Sequence, residues 1–329
     1  MAFYSYIFSA NYKKFLKSLK EISKKEHKNY IGMMFDTVYC VFKHGLGLSD
    51  YLNFKIYNRS KAERKEYVST RMENEFYSKV SPSEYKDLFS VKPKFLQEFK
   101  EYVNREFIFP NENNYQEFLQ FLDRHPVFMS KPYNGLGGSN VKKEYVKDIE
   151  NKKAYFDNTV ENGIFLEELV IQHPNMNVLC EKSVNTMRIM TFNNKGKSRI
   201  LWMGLRVGNG INSIDNFHAN GMGVSIDIET GKLIGKAVDK DLNEFEEHPT
   251  THVKFDGFQI PCFKEAKDMV LKASLKSDKI LVVGWDVAIT PNGPVIIEGN
   301  RRPGYDLVQV LEDRGRMDII RGVLEELEK

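Results

Sequence analysis

Gly284-Trp285-Asp286-Val287-Ala288-Ile289-Thr290, Pro291-Asn292-Gly293 and Pro294-Val295-Ile296-Ile297-Glu298-Gly299-Asn300 run consecutively near the C-terminal end of the chain. Two stretches rich in β-branched residues flank a turn-forming tripeptide, which reads as a hairpin. Val282, Val283, Val287, Ile289, Val295, Ile296 and Ile297 leave little polar surface, so the hairpin belongs in a core. Glu298 and Asn300 are two apart and share a face. A three-residue loop, with Pro291 and Asn292 in a type I turn and Gly293 left-handed, would pair Thr290 with Pro294. Asp286 then lies opposite Glu298, and a slip of one residue would turn it away. Carboxylates in an apolar ribbon need a neutralising partner. Asp286, Glu298 and Asn300 are three hard oxygen donors that suit Mg²⁺. A salt bridge to Arg301 or Arg302 is the competing reading.

Upstream, Met187–Phe192 and Arg199–Val207 flank Asn194-Lys195-Gly196, and Gly223–Ile228 and Lys232–Val238 flank Glu229-Thr230-Gly231. Both pairs read as hairpins. Phe263, Ala266 and Val270 lie on one helix face, and a closing helix carries Ile320, Val323, Leu324 and Leu327. Hairpins mixed with helices, without βαβ alternation, give an α+β class. Before Val127 the texture is helical: Phe15, Leu16, Leu19 and Ile22 recur at helical spacing, and Ser49-Asp50 is the expected cap of the next helix. Ser81-Pro82-Ser83-Glu84 reads as a helix start with Pro in its first turn. Short helices follow, with a strand near 106–109.

Val127-Phe128-Met129-Ser130-Lys131-Pro132 leads into Asn134-Gly135-Leu136-Gly137-Gly138. A strand ending in Lys before a glycine-rich loop suits an oxyanion such as phosphate, although it matches neither a Walker A loop nor GxGxxG. A plain hairpin turn with a surface lysine is the alternative. Arg188 sits among apolar strand residues, so it needs an anion, either a phosphate or a carboxylate.

The 329 residues include 48 Lys+Arg, 45 Asp+Glu and 41% hydrophobic residues. That composition excludes a disordered or fibrous chain. A net charge of +3 gives no reason to expect a nucleic-acid partner. The apolar runs are too short for a transmembrane segment, and no signal peptide is read at the start. Lys13, Lys14, Lys17, Lys20, Lys24 and Lys25 form either a solvated helix face or a patch for an acidic surface. Three cysteines without metal-binding spacing fit a reducing, cytoplasmic setting.

In their order, Lys131 with its glycine loop, Glu167-Glu168-Leu169-Val170, Asn185-Thr186-Met187-Arg188 and Asp286 through Glu298-Gly299-Asn300 resemble the ATP-grasp superfamily. Gly47–Tyr51, Ser183–Arg188, Asp215–His218, His248–Thr250 and the run from Gly284 to Gly304 are similar to its sugar-transfer-associated group, related to α-L-glutamate ligases. The likeness runs from about residue 40 to the end. It implies two α+β subdomains clamping ATP, with a helical region at 1–80, the start of the nucleotide wall at 81–126, a small subdomain at 127–182 and a large one at 183–329. Lys131 would meet the α- and β-phosphates beside Gly135, Gly137 and Gly138. Lys92 would be the upstream nucleotide lysine, with Lys94 its rival, and Arg105 would share that wall. Glu167 and Val170 would meet adenine through their backbone, with Glu168 or Gln172 near the ribose. Asp286, Glu298 and Asn300 match the metal positions, and Arg188 would hold the γ-phosphate or an acyl phosphate. His218 would lie in a loop near the acceptor, or in a capped turn; Arg206 would bind a substrate carboxylate, or end a strand at the surface.

The implied activity is an ATP-dependent carboxylate–amine ligase that uses Mg²⁺, acting in surface polysaccharide or glycan modification. Its substrates would be a uronic-acid carboxylate and an amino acid or other amine. A kinase acting on a hydroxyl and a non-catalytic nucleotide-binding regulator are the alternatives, and the oligomeric state stays open.

Overall fold

The computed structural model describes residues 12–133, 141–210 and 221–329. They form two antiparallel sheets. The small sheet has the order β1-β4-β2-β3, from β1 (Phe107–Ile108), β2 (Val127–Pro132), β3 (Lys142–Tyr145) and β4 (Ile164–Glu168). Helices Tyr115–Arg124 and Lys152–Glu161 pack on it through Phe118, Phe121 and Phe156. The large sheet has the order β11-β10-β5-β6-β7-β8-β9. Its strands are β5 (Thr186–Asn194), β6 (Lys197–Val207), β7 (Met222–Ile226), β8 (Leu233–Asp239), β9 (Glu244–Phe245), β10 (Val282–Thr290) and β11 (Gly293–Asn300). The architecture is α+β. The expected hairpins form, and Lys195-Gly196 turns with both residues at positive φ, as a two-residue loop requires.

Both faces of the large sheet are covered, which is why its central strands read as almost continuous apolar runs. Met187 and Ile189 of β5 and Val283, Trp285 and Val287 of β10 face helix Phe263–Ser274 and Phe95 and Phe99. Met190, Phe192 and Val282 face Phe76, Tyr77, Val308 and Val323. Trp202 and Trp285 are both buried, as expected of core residues.

The C-terminal ribbon departs from its expected turn. Thr290 pairs with Gly293 and Ile289 with Pro294, so the loop is the two residues Pro291-Asn292 rather than three. Continued unchanged, that register would place Ile297 opposite Asp286. A β-bulge intervenes: Val287 pairs with Ile296, Asp286 with Glu298, and Ile297 is the extra residue. The two acids thus meet by a route the sequence does not announce. Arg105 donates to the carbonyls of Ile296 (2.8 Å) and Ile297 (3.2 Å) and so holds the bulge open.

The helical N-terminal region includes α1 (Tyr12–Lys25) and α2 (Tyr30–His44). The Asn29 side chain accepts the Ile31 and Gly32 N–H groups, and Gly45 at φ +67° ends α2. Helix Leu48–Asn53 begins after Gly47, not at the expected Ser49-Asp50 cap; Asp50 acts from inside, accepting the Gly47 N–H at 2.8 Å. Pro82 opens only a 3₁₀ turn, Ser83–Tyr85. Buried Gln309 hydrogen-bonds both the N–H (2.6 Å) and the C=O (3.1 Å) of Val68, tying this region to the C-terminal helices.

Helix Thr70–Val80 carries Glu73. Burial pushes its pKa up to about 8, and the nearby Asp306 and Asp50 carboxylates add to the rise. The folded state therefore holds this proton more tightly than the unfolded chain. Its contribution is fully present below the ordinary value of 4.5 and is lost as pH rises through about 8. Chemical denaturation between about pH 5 and pH 9 should show stability falling with pH, with a shallower fall in Glu73→Gln. Identical pH slopes for the two proteins would contradict this.

Candidate active site

A cleft of about 310 Å³ brings together residues far apart in sequence: Lys92, Lys131 and Glu167 on one side, Glu298 and Asn300 on the other. Phe89, Phe95 and Leu96 supply apolar lining. Lys92 opens helix Lys92–Glu98, and its N–H donates to the Tyr133 carbonyl just after β2 (3.4 Å). Its ammonium stands 3.8 Å from Glu298. Lys94, its rival, is exposed and paired with Asp87 at 2.9 Å. A larger hollow, about 520 Å³, lies along 143–155 and is bordered by none of the candidate residues.

Glu167 pairs across β4 with Met129, two residues before Lys131 on the same face of β2. Lys131 donates to the Glu167 carboxylate, and Arg105 donates to it from Nε (3.1 Å) and Nη2 (3.0 Å). Burial alone would raise the Glu167 pKa, but Arg105 and Lys131 outweigh it and bring it down to about 2. Burial lowers the Lys131 pKa; Glu167 opposes this, while Arg105 and Lys92 add to it. Two cations, Lys131 and Arg105, thus meet on one carboxylate, and with Lys92 in the same cleft they leave positive charge suited to a polyanion.

The side chains of this wall are held by one another. The Glu167 side chain is committed inward, whatever its backbone meets. Arg105 does not face the cleft: its guanidinium makes five hydrogen bonds, to the Val103, Ile296 and Ile297 carbonyls and twice to Glu167 Oε2.

A single row crosses the large sheet from Glu298 through Asp286 and Arg188 to Gly204. Arg188 grips Asp286 with Nε at 2.5 Å and Nη2 at 3.1 Å. Arg206 adds Nη2 at 3.0 Å and donates to Thr186 Oγ1 at 2.8 Å. Asp286 is 1% exposed. Burial would raise its pKa, but the two arginines outweigh that and hold it below the ordinary range. Glu298 goes the other way. Burial and then the Asp286 charge raise its pKa, with Lys92 opposing.

The competing salt bridge therefore exists, but to Arg188 and Arg206. Arg301 donates to the Ser81 carbonyl instead, and Arg302 to Asn74. Arg188 and Arg206 carry a protein carboxylate where a phosphate and a substrate carboxylate were expected.

Among the described residues, no three His, Cys, Asp or Glu side chains cluster as metal ligands. The donors present nevertheless fit a hard divalent ion that brings its own remaining ligands. Glu298 and Asn300 border the cleft, and the raised Glu298 pKa marks a carboxylate short of positive charge. Asp286 would join only by giving up part of its arginine contacts.

The other expected residues scatter. Gln172 is buried: its Nε2 donates to Asn177 (2.8 Å) and the Cys180 carbonyl (3.0 Å), and its Oε1 accepts the Asn185 N–H (2.5 Å). It braces the entry to β5 and is not available to a ribose. Glu168 accepts the Glu106 N–H at 3.0 Å. Val170 is half-buried in the linker that follows β4. Gly135, Gly137, Gly138 and His218 lie outside the described residues. His248, in the His248–Thr250 stretch, is fully buried, and its Nε2–H donates to the Gly208 carbonyl at 2.8 Å.

Two α+β units meeting at a lysine-lined cleft define the ATP-grasp fold. Residues 99–325 match the profile of the sugar-transfer associated ATP-grasp family, and the chain belongs to that family. Among solved structures, it is similar to ATP-grasp ligase PsnB complexed with precursor peptide PsnA2 and AMPPNP: 13% identity, TM-score 0.47, covering 76% of this chain and 63% of that one. It is also similar to the D-alanine-D-alanine ligase from Helicobacter pylori: 15% identity, TM-score 0.41, 73% and 60% covered. D-cycloserine synthetase DcsG shows 12% identity and TM-score 0.44, with 75% and 73% covered. The match to PsnB spans less than two-thirds of that protein's length. No curated protein sequence matches this chain.

Glu167 and Arg105 have side chains only 4% exposed. Glu167→Gln should therefore strand two buried cations and cost about 3–5 kcal/mol in chemical denaturation. A loss under about 1 kcal/mol would mean that the pairing is replaced by solvent.

Proposed function

We propose that this protein is an ATP-dependent carboxylate–amine ligase. The observation that carries the reading is that Lys92 and Lys131 share one cleft with Glu298 and Asn300. Cationic groups and metal-type oxygen donors facing one small volume suit a triphosphate better than any neutral ligand.

The nucleotide phosphates contact Lys92 and Lys131, with Lys131 shared between them and Glu167. Glu298 and Asn300, with Asp286, would hold Mg²⁺, which neutralises phosphate charge and polarises the γ-phosphorus when bound. A substrate carboxylate oxygen attacks the γ-phosphorus, the bond to the β–γ bridging oxygen breaks, and ADP leaves. An amine nitrogen then attacks the acyl carbon; the C–O bond to phosphate breaks and the nitrogen loses a proton. No covalent enzyme intermediate is needed, and catalysis is positioning and charge stabilisation. Arg188 and Arg206, side by side on Asp286, supply the positive charge for the acyl phosphate. In this reading 81–126 begins the nucleotide wall, 127–182 is the small subdomain, and the metal ribbon belongs to the large one at 183–329.

The family's link to sugar transfer favours a uronic-acid or other glycan carboxylate, with an amino acid or amine as partner. Dependence on ATP and three free cysteines support a cytoplasmic setting for the reaction.

The test is release of ADP and phosphate from Mg²⁺-ATP across uronic acids, nucleotide sugars and amines. Turnover should require a carboxylate and an amine together. ADP release driven by a hydroxyl substrate alone would identify a kinase, and binding without turnover a regulator. Glu298→Gln should lower kcat by at least about 10²-fold. Lys131→Ala should weaken ATP binding about tenfold, or about 1.4 kcal/mol, and still melt cooperatively. Wild-type rates in Glu298→Gln would remove the metal ribbon from the chemistry.

A further inference from the structure

Helix α2 has two apolar faces, and only one is used. Met33, Thr37, Cys40 and Val41 are buried against the rest of the N-terminal region. On the other side Ile31, Met34, Phe35, Val38, Tyr39 and Phe42 recur at i, i+3, i+4, i+7, i+8 and i+11, and all are exposed. Phe35 is 73% exposed and Phe42 74%. No charge interrupts this stripe. The one acid of the helix, Asp36, is turned to Arg64 and to the Tyr51 hydroxyl.

Alongside lies α1, packed through Leu19 into the same cluster as Met33. It exposes Lys13, Lys14, Lys17, Lys20, Lys24 and Lys25. Residues 12–44 hold eight lysines against Glu21, Glu26 and Asp36, so this region concentrates positive charge in a chain whose net charge is only +3.

A contiguous apolar stripe beside a lysine-rich helix is the signature of a surface that lies in a lipid interface. We propose that α1 and α2 dock this protein on an anionic membrane surface. The lysines meet lipid phosphates and the aromatic stripe enters the acyl boundary. A soluble polyanion would use the lysines but not Phe35 and Phe42. A second copy would bring the same lysines against these, which like charge disfavours. At 15 residues α2 is about 22 Å long, so it lies on a bilayer rather than crossing it. Among the described residues no helix is long and apolar enough to cross. This surface is distinct from the cleft, and the proposal does not rest on the ligase reading.

The experiment is co-sedimentation of the full chain with vesicles of phosphatidylcholine containing about one-third phosphatidylglycerol, against pure phosphatidylcholine. The protein should pellet with the anionic vesicles and be released by high salt. Phe35→Glu with Phe42→Glu should reduce binding at least about tenfold without changing the melting temperature, because both rings are exposed. Lys17→Glu with Lys24→Glu should reduce it as well. Failure of the wild type to pellet with either vesicle overturns the proposal. So does binding that survives the two Phe substitutions, which would mark the lysines alone as a polyanion site. A concentration-dependent dimer in sedimentation velocity, abolished by Phe35→Glu, would assign the stripe to a second copy instead.

Discussion

The extra residue Ile297 sets which way the acids of the C-terminal ribbon face. Without the bulge, the tight Pro291-Asn292 turn would put Asp286 opposite Ile297 and send Glu298 to the other side of the sheet. An unpaired residue in a buried strand needs its carbonyls satisfied. Arg105 meets that need and reaches Glu167 with the same guanidinium, while Glu167 holds Lys131. One connected set of charge-assisted hydrogen bonds therefore joins the ribbon to the lysine strand across the back of the cleft. The two sheets are positioned by the same groups that set the charge of the site.

Close packing around that row leaves little freedom. A Cβ on Gly204 would fall 2.3 Å from the Trp202 ring, so the strand neighbour of Arg188 can carry no side chain. A Cβ on Gly299 would lie 2.7 Å from Phe95 and 2.9 Å from Phe89, rings that line the cleft. Both glycines are chosen for space rather than for backbone freedom. Asp286 and Glu298 divide their roles accordingly: one carboxylate is held below the ordinary range between two arginines, and the other borders the cleft with its pKa raised by burial and by the Asp286 charge.

Much of the fold was legible because its signals are local. Asn194-Lys195-Gly196 and Pro291-Asn292-Gly293 announce turns, strand alternation puts Glu298 and Asn300 on one face, and Phe263, Ala266 and Val270 mark a helix face. What escaped is non-local. Ile297 looks like Ile296, and nothing in the ribbon itself signals the bulge; the guanidinium that stabilises it lies nearly two hundred residues upstream. Gln172 reads as a linker residue until its four partners are seen. Arg188 was correctly expected to need an anion, but periodicity cannot choose between a phosphate and the aspartate opposite it. The second apolar face of α2 went unseen because a helix apolar on both sides reads simply as buried.

Amine labelling with mass spectrometry tests the central claim most directly, since Lys92 and Lys94 lie on one short helix with opposite surroundings. Lys92 lines the cleft beside Glu298, whereas Lys94 is exposed on Asp87. Saturating Mg²⁺-ATP should suppress acetylation of Lys92 and leave Lys94 unchanged. Equal reactivity of Lys92 with and without nucleotide, while ATP is shown to bind, would place the triphosphate elsewhere and contradict the site described.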